Sequence, residues 1–211
     1  MPIIEGLEQQ TPEWLQMRVG MVTASRVADV MAVLKRKDGE AAVRTNYRYN
    51  VAIECITGRA VDTYVTPAME WGIENEPVAK AAYELANDIE VQPIGFAIHD
   101  RIERFGASPD GLVGSDGLIE IKCPTTHSHL DYLLAGVVPE EYQPQMLAEM
   151  ACTGRKWCDF ISFDSRLPKR MQLFQRRFLR DDAQIEKMEK AVEQFLCEVG
   201  ELLLKLSEAK P

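Results

Sequence analysis

No stretch of the sequence holds the about 18 consecutive apolar residues that a membrane-spanning helix requires, so no membrane association is expected. The start, Met1-Pro2-Ile3-Ile4-Glu5, lacks the basic flank and apolar run of a signal peptide, so a cytoplasmic location is expected. The five cysteines (Cys55, Cys123, Cys152, Cys158, Cys197) are scattered and form no C-x-x-C pair. That excludes a signalled zinc site or disulfide framework and leaves buried thiols in a reducing compartment. Internal repeats, low-complexity tracts and an interdomain linker are also missing, so residues 1–211 read as a single domain. Positive charge is scarce: 24 Lys and Arg against 33 Asp and Glu give a net charge of −9. Taken alone, this argues against non-specific binding to nucleic acid. Basic residues are nevertheless clustered, at Lys35-Arg36-Lys37, at Arg44 with Arg48, and from Arg166 to Arg180. Any one cluster is as well explained by solvated surface charge.

What is present is a mixed pattern of helices and strands. Thr11-Pro12-Glu13 has the form of a helix start, with Gly20 as its end. Thr23-Ala24-Ser25 predicts another helix, running to about Leu34, and Lys35 to Glu40 reads as a loop. Helices are expected over Ala41–Thr57, stopped by Gly58, and over Thr66–Asn87, with Trp71, Val78, Ala82 and Leu85 facing a core. Pro77 should kink that second helix or restart it. Strands are expected near Glu90–His99, Arg104–Ala107, Gly111–Val113 and Leu118–Lys122, the last two joined by the turn Gly114-Ser115-Asp116-Gly117. Helices at His127–Leu134 and Glu140–Cys152 and strands at Trp157–Asp164 and Met171–Leu179 follow. From Asp181 a long C-terminal helix carries Ile185, Met188, Val192, Phe195, Val199 and Leu203 on one face. It either lies against the domain or forms an oligomer seam. The class is α+β, with a mostly antiparallel central sheet flanked by helices.

One segment carries chemistry: Ser108-Pro109-Asp110-Gly111, then eight residues, then Glu120-Ile121-Lys122. In a strand, Glu120 and Lys122 share a face, because side chains alternate with period two. The hairpin before them brings Asp110 alongside. Two neighbouring carboxylates raise each other's pKa, and a divalent cation relieves this. Hard oxygen ligands suit Mg²⁺, with Mn²⁺ as a substitute. The Ile121 side chain faces the other way, while its backbone carbonyl can complete the metal shell. Such a set fits phosphodiester hydrolysis. A bare D-x(9)-E-x-K pattern is common by chance, so its weight comes from the flanking turn and the Cys123-Pro124 strand exit.

Around that segment the chain resembles the lambda-exonuclease (YqaJ-like) branch of the PD-(D/E)XK nucleases, which phages use for recombination. Trp14-Leu15-Gln16-Met17-Arg18 through Thr23-Ala24-Ser25 is similar to the family's first motif. The resemblance implies that Arg18 and Ser25 bind a terminal 5′-phosphate, with Ser108 assisting. Independently, a helix start near Thr23 or Ser25 would favour an anion through its free N–H groups. Trp71-Gly72-Ile73-Glu74-Asn75-Glu76 is similar to the W-G-x-x-x-E helix, which puts Glu76 near metal and water. Tyr142-Gln143-Pro144-Gln145 is similar to the Y-x-x-Q motif, which puts Gln145 by the active site.

The resemblance implies a restriction-endonuclease-like fold. It also implies a Mg²⁺-dependent 5′→3′ exonuclease on linear double-stranded DNA, releasing mononucleotides and leaving a 3′ single-stranded tail. A ring-shaped homotrimer and a separate single-strand-annealing protein are the implied partners. Gln92 stands about where the family has a second acid at the sheet's start, with Glu90 two positions earlier, so no role is transferred there. The Lys35–Glu40 loop has no counterpart. Tyr47 or Tyr49 is a candidate to line the DNA path, whereas Trp14, Trp71 and Trp157 read as core. His127-Ser128-His129 reads as a polar loop or helix cap rather than a metal site. Alternatives are a PD-(D/E)XK endonuclease, a Cas4-like nuclease, whose clustered cysteines are lacking, and a non-catalytic DNA-end clamp, disfavoured by the intact Asp110, Glu120 and Lys122.

Overall fold

Side-chain caps set several of the helix starts. In the computed structural model, which describes residues 3–4, 6–33, 40–61 and 66–209, a short strand β1 (Ile3–Ile4) precedes helix α1 (Pro12–Met17). Thr11 caps α1 by accepting from the Trp14 N–H at 3.2 Å. The helix stops at Met17, short of Gly20, whose φ of 71° turns the chain into β2 (Val22–Thr23). A three-residue 3-10 turn, Ala24–Arg26, leads into α2 (Val27–Val30). This is far shorter than the helix expected to reach Leu34. Lys35-Arg36-Lys37 and all of the loop before Glu40 lie outside the described residues, as do Met1, Pro2 and Glu5.

Helix α3 (Ala42–Thr57) ends in left-handed Gly58, as expected. Helix α4 (Pro67–Asn87) starts under the Thr66 cap and runs through Pro77 without a break. Its buried face is Asn75, Ala79 and Tyr83, fixed by the Tyr83 hydroxyl donating to Asp159 at 2.7 Å. Val78 and Leu85 point to solvent, at 51% and 87% exposure, which corrects the expected core face by about one position. Next come β3 (Val91–Gln92), β4 (Phe96–Ile98), β5 (Phe105–Ala107), β6 (Gly111–Val113) and β7 (Gly117–Lys122). The single strand expected at Glu90–His99 is two. Pro93 has no N–H for a ladder, and β3 and β4 join different sheets. At Gly95 a side chain would collide with the Leu7 carbonyl, 2.0 Å from the position of a Cβ. The chain then forms α5 (Thr126–Ala135), α6 (Gln143–Thr153), β8 (Trp157–Phe163), β9 (Leu173–Leu179) and α7 (Asp182–Glu208).

The main sheet has the order β3-β6-β7-β8-β9 and is antiparallel except for β7–β8. A second small sheet, β1-β4-β5-β2, was not expected; its β2–β5 pair is parallel. The two faces of the main sheet build two cores. Leu118, Phe160 and Phe174 pack with α6 and α7 on one side, and Ile119, Ile121 and Ile161 pack with Ala79 and Tyr83 of α4 on the other. Each such side chain contributes about 1.5–3 kcal/mol on burial. In α7, Ile185, Met188, Val192, Phe195 and Val199 are buried against the domain. The expected apolar face is therefore used within the chain. The architecture is α+β, two sheets flanked by helices with a long C-terminal helix.

Candidate active site

The alternation of β7 puts Glu120 and Lys122 on the Leu118 side of the sheet, beneath α6, and Ile121 on the α4 side. Asp110 enters from the turn before β6. Its N–H donates to the Ile119 carbonyl at 3.2 Å, and its Oδ2 accepts from the Ile121 N–H at 2.5 Å. The hairpin therefore pins one carboxylate to the backbone between the other two site residues. Glu120, 2% exposed, has Oε1 paired with the Lys122 ammonium and accepts from Gln145 Nε2 at 2.7 Å. Lys122 also approaches Gln145 Oε1 at 3.4 Å and lies 5.2 Å above the Tyr142 ring. The structure thus brings Asp110, Glu120, Lys122 and Gln145 together.

The electrostatics are those of crowded acids. Burial, then the Glu120 and Glu76 charges, pushes the Asp110 carboxyl well above the usual carboxylate range. Glu76, on α4, is raised by burial and by Glu120. Lys122 is pulled down by burial, but Glu120 and Asp110 outweigh this and hold it above its ordinary value. Burial, then the Glu76, Asp110 and Asp164 charges, pushes the Cys123 thiol up to about 12, which disfavours the thiolate at neutral pH. Glu120 Oε2 is buried with no hydrogen-bond partner. An orphaned carboxylate oxygen beside a disfavoured second carboxylate is what a hard divalent cation would relieve, so the residues fit Mg²⁺ or Mn²⁺. Among the described residues, no three Cys, His, Asp or Glu side chains form a complete cage. The candidate donors are the Asp110 and Glu120 carboxylates and the Ile121 carbonyl, with Glu76 close enough on α4 for Glu120 to raise its pKa.

The other motif residues gather at the small sheet. Because β2 and β5 run parallel, both strands lead off the same edge, β2 into Ser25 and β5 into Ser108. The Arg18 guanidinium stacks on the Trp14 ring at 3.9 Å from its centroid, and Trp14 Nε1 donates to Ser108 Oγ at 2.8 Å. The Trp14 indole links Arg18 to Ser108, and Arg18 hydrogen-bonds to neither serine. Burial lowers the Arg18 pKa from its usual value, and among the described residues no carboxylate forms an ion pair with it. Ser25 is exposed, 3.4 Å from Thr23 Oγ1. The helix-start argument for this region loses force, because the 3-10 turn has three residues and α2 four.

Several sequence readings change. Trp14 belongs to this site and not only to packing. Tyr47 is buried, stacks on Phe195 and accepts from the Thr23 N–H at 3.2 Å, so it cannot line a DNA path; Tyr49 is 48% exposed. Arg44 and Arg48 are neutralised by Glu40 and Glu198, because α3 packs on α7. In the downstream cluster Arg166, Arg177 and Arg180 pair with Asp164, Asp159 and Asp182. His127 is on the surface, and His129 is buried between Ser162 Oγ and the Met171 carbonyl. One residue was missed altogether. Glu149, fully buried on α6, accepts from Gln145 Nε2 at 2.8 Å, and burial and Glu120 push its carboxyl well above the usual range. Its only signal is an acid four residues after Gln145 in the otherwise apolar run from Met146 to Cys152.

Comparison with known proteins shows the family and the fold. Residues 13–156 match the model of the YqaJ-like viral recombinase domain. The alkaline exonuclease LHK-Exo from Laribacter hongkongensis is 46% identical over 93% of this chain and 96% of its own, with a TM-score of 0.86. LHK-Exo in complex with dAMP matches equally well, at 46% identity and a TM-score of 0.86. A phage-related exonuclease from Haemophilus somnus shares the fold, with a TM-score of 0.67 at 15% identity, covering 88% of this chain and 96% of its own. No curated protein sequence matches the chain. The matched segment contains Arg18, Ser25, Glu76, Ser108, Asp110, Glu120, Lys122 and Gln145, and the chain belongs to the YqaJ-like viral recombinase family.

Proposed function

We propose that the chain, as one nuclease domain over residues 1–211, is a Mg²⁺-dependent 5′→3′ exonuclease. It would degrade one strand of linear double-stranded DNA to mononucleotides and leave a 3′ tail for recombination by strand annealing. The coarse part of this, an exodeoxyribonuclease of phage-type recombination, follows from the family and from the alkaline exonuclease relative. The single observation that carries the chemistry is the convergence of Asp110, Glu120, Lys122 and Gln145 around the orphaned Glu120 Oε2. A relative binding dAMP supports the product class, since a deoxynucleoside monophosphate is what such an enzyme releases.

Asp110, Glu120 and the Ile121 carbonyl would hold the cation, Mg²⁺ or Mn²⁺, which supplies Lewis acidity toward water and the scissile phosphate. Lys122, kept cationic by its acidic neighbours, stabilises negative charge developing on the phosphorus oxygens and orients the attacking water. Gln145 fixes the Glu120 carboxylate, and Glu76 positions water from the α4 side. Arg18, Ser25 and Ser108 bind the terminal 5′-phosphate, and Trp14 supports Arg18 by stacking and Ser108 by its N–H.

We further propose that the acidic chain holds duplex DNA as a homotrimeric ring and hands its tail to an annealing protein. Light scattering that returns a monomer at working concentration would remove the ring. No helix among the described residues is long and apolar enough to cross a membrane. The function is tested with linear and covalently closed circular duplex plus Mg²⁺. Degradation of the linear form alone is expected, and cutting of intact circles would make the enzyme an endonuclease instead.

A further inference from the structure

We propose that Glu149 is a positioning residue of the catalytic centre, acting through Gln145 on Glu120 and Lys122; this rests on the nuclease reading above. The Gln145 amide is fully engaged. Its Nε2 donates to Glu120 Oε1 at 2.7 Å and to Glu149 Oε1 at 2.8 Å, and its Oε1 faces Lys122 Nζ at 3.4 Å. The flipped amide would set its oxygen against the Glu120 carboxylate and its NH₂ against an ammonium, and would take the Nε2–H donor away from Glu149 Oε1, so the two acids together favour one orientation. Without Glu149, Glu120 alone would hold the amide nitrogen. Glu120 has no second anchor on Oε2, so the carboxylate and Gln145 would loosen together.

The surroundings argue that this acid serves the site and not the fold. Tyr142, Gln145 and Glu149 follow one another along one side of α6, above Glu120 and Lys122, so helix periodicity sets the contact. The rest of the helix from Met146 to Cys152 is buried and apolar. A carboxyl in such a place costs stability unless it is satisfied. Among the described residues the Glu149 side chain accepts only from Gln145; its carboxyl also faces that of Glu120, which raises its pKa, and its Oε2 has no satisfied hydrogen bond. A methionine there would fill a similar volume without the desolvation cost.

The test is steady-state kinetics on linear duplex with Mg²⁺, together with thermal melting. The variants are Glu149→Met, Glu149→Gln, Gln145→Ala and the double variant Gln145→Ala/Glu149→Met. Glu149→Met should melt no lower than wild type, keep KM for DNA and lose about 10-fold or more in kcat, the scale of a misplaced catalytic group. Glu149→Gln retains an acceptor for the Gln145 amide and should stay close to wild type. In the Gln145→Ala background, Glu149→Met should add nothing, because the two act as a unit. Wild-type kcat in Glu149→Met, a full additional loss in the double variant, or equal loss in Glu149→Gln would each overturn the proposal. So would a lowered melting temperature of Glu149→Met, which would make the carboxyl structural. A wild-type protein that degrades no DNA would instead remove the nuclease reading itself.

Discussion

Under the proposed function, Arg18 is the residue that separates an end-reading nuclease from a generic one. It stands apart from Asp110, Glu120 and Lys122 in the chain, yet its stack on Trp14 ties it to Ser108, two residues before Asp110. A terminal phosphate carries more charge than an internal diester, and a guanidinium fork can distinguish them. Wild type should therefore degrade 5′-phosphorylated ends faster than 5′-hydroxyl ends. Arg18→Ala should lose about 1.5–3 kcal/mol of that discrimination, the value of a hydrogen bond to a charged group. Initial rates on both substrates give the answer; an unchanged preference would place the phosphate pocket elsewhere. At this scale the sequence is readable wherever local rules apply. Period two alone puts Glu120 and Lys122 on one face. The turn at Gly114 to Gly117 brings Asp110 to Ile121. Glu149 and the Trp14–Ser108 bond are not readable, because each depends on which elements meet in space.

Elements with strong end signals are equally readable. Thr11, Thr66 and Asp181 cap α1, α4 and α7 with their side chains, and Gly58 ends α3. What escapes is the partition of short strands. β1 and β2 have two residues each, too few for periodicity, and only pairing with β4 and β5 defines them. The buried face of α4 differs from the one its periodicity predicts, because Tyr83 bonding to Asp159, a long-range contact, sets it. The apolar face of α7 is the one its 3–4 spacing predicts, and its packing explains why Arg44 and Arg48 are neutralised by Glu198. Phe195 is fully buried there and stacks on Tyr47 at 5.3 Å. Phe195→Ala should cost about 3–5 kcal/mol in denaturant unfolding. A loss under about 1 kcal/mol would mean that α7 does not hold α3 and α6 together.

For the whole molecule, the buried acids couple stability to metal and pH. Asp110 and Glu149 are pushed well above the carboxylate range, and Glu76 is raised with them. The folded, metal-free chain then retains protons that the unfolded chain releases near pH 4. Their contribution therefore falls as pH rises from that value through the folded pKa values. A cation between the acids offsets the loss, and protons compete with it. The gain in Tm on adding Mg²⁺ should accordingly be larger at pH 8 than at pH 6. Equal gains would mean that the cation binds elsewhere. The central claim is that Asp110, Glu120 and Lys122 form a metal-dependent centre working inward from a 5′ end. Its most direct test is the early time course of nucleotide release from linear duplex labelled at the 5′-phosphate, with Mg²⁺ and with chelator. Wild type with Mg²⁺ should release label as mononucleotide from the first turnovers. Chelated protein and Asp110→Asn should release none, and Lys122→Ala should be slower by at least about 10²-fold. Label released at the wild-type rate by Asp110→Asn, or in excess chelator, would contradict the account.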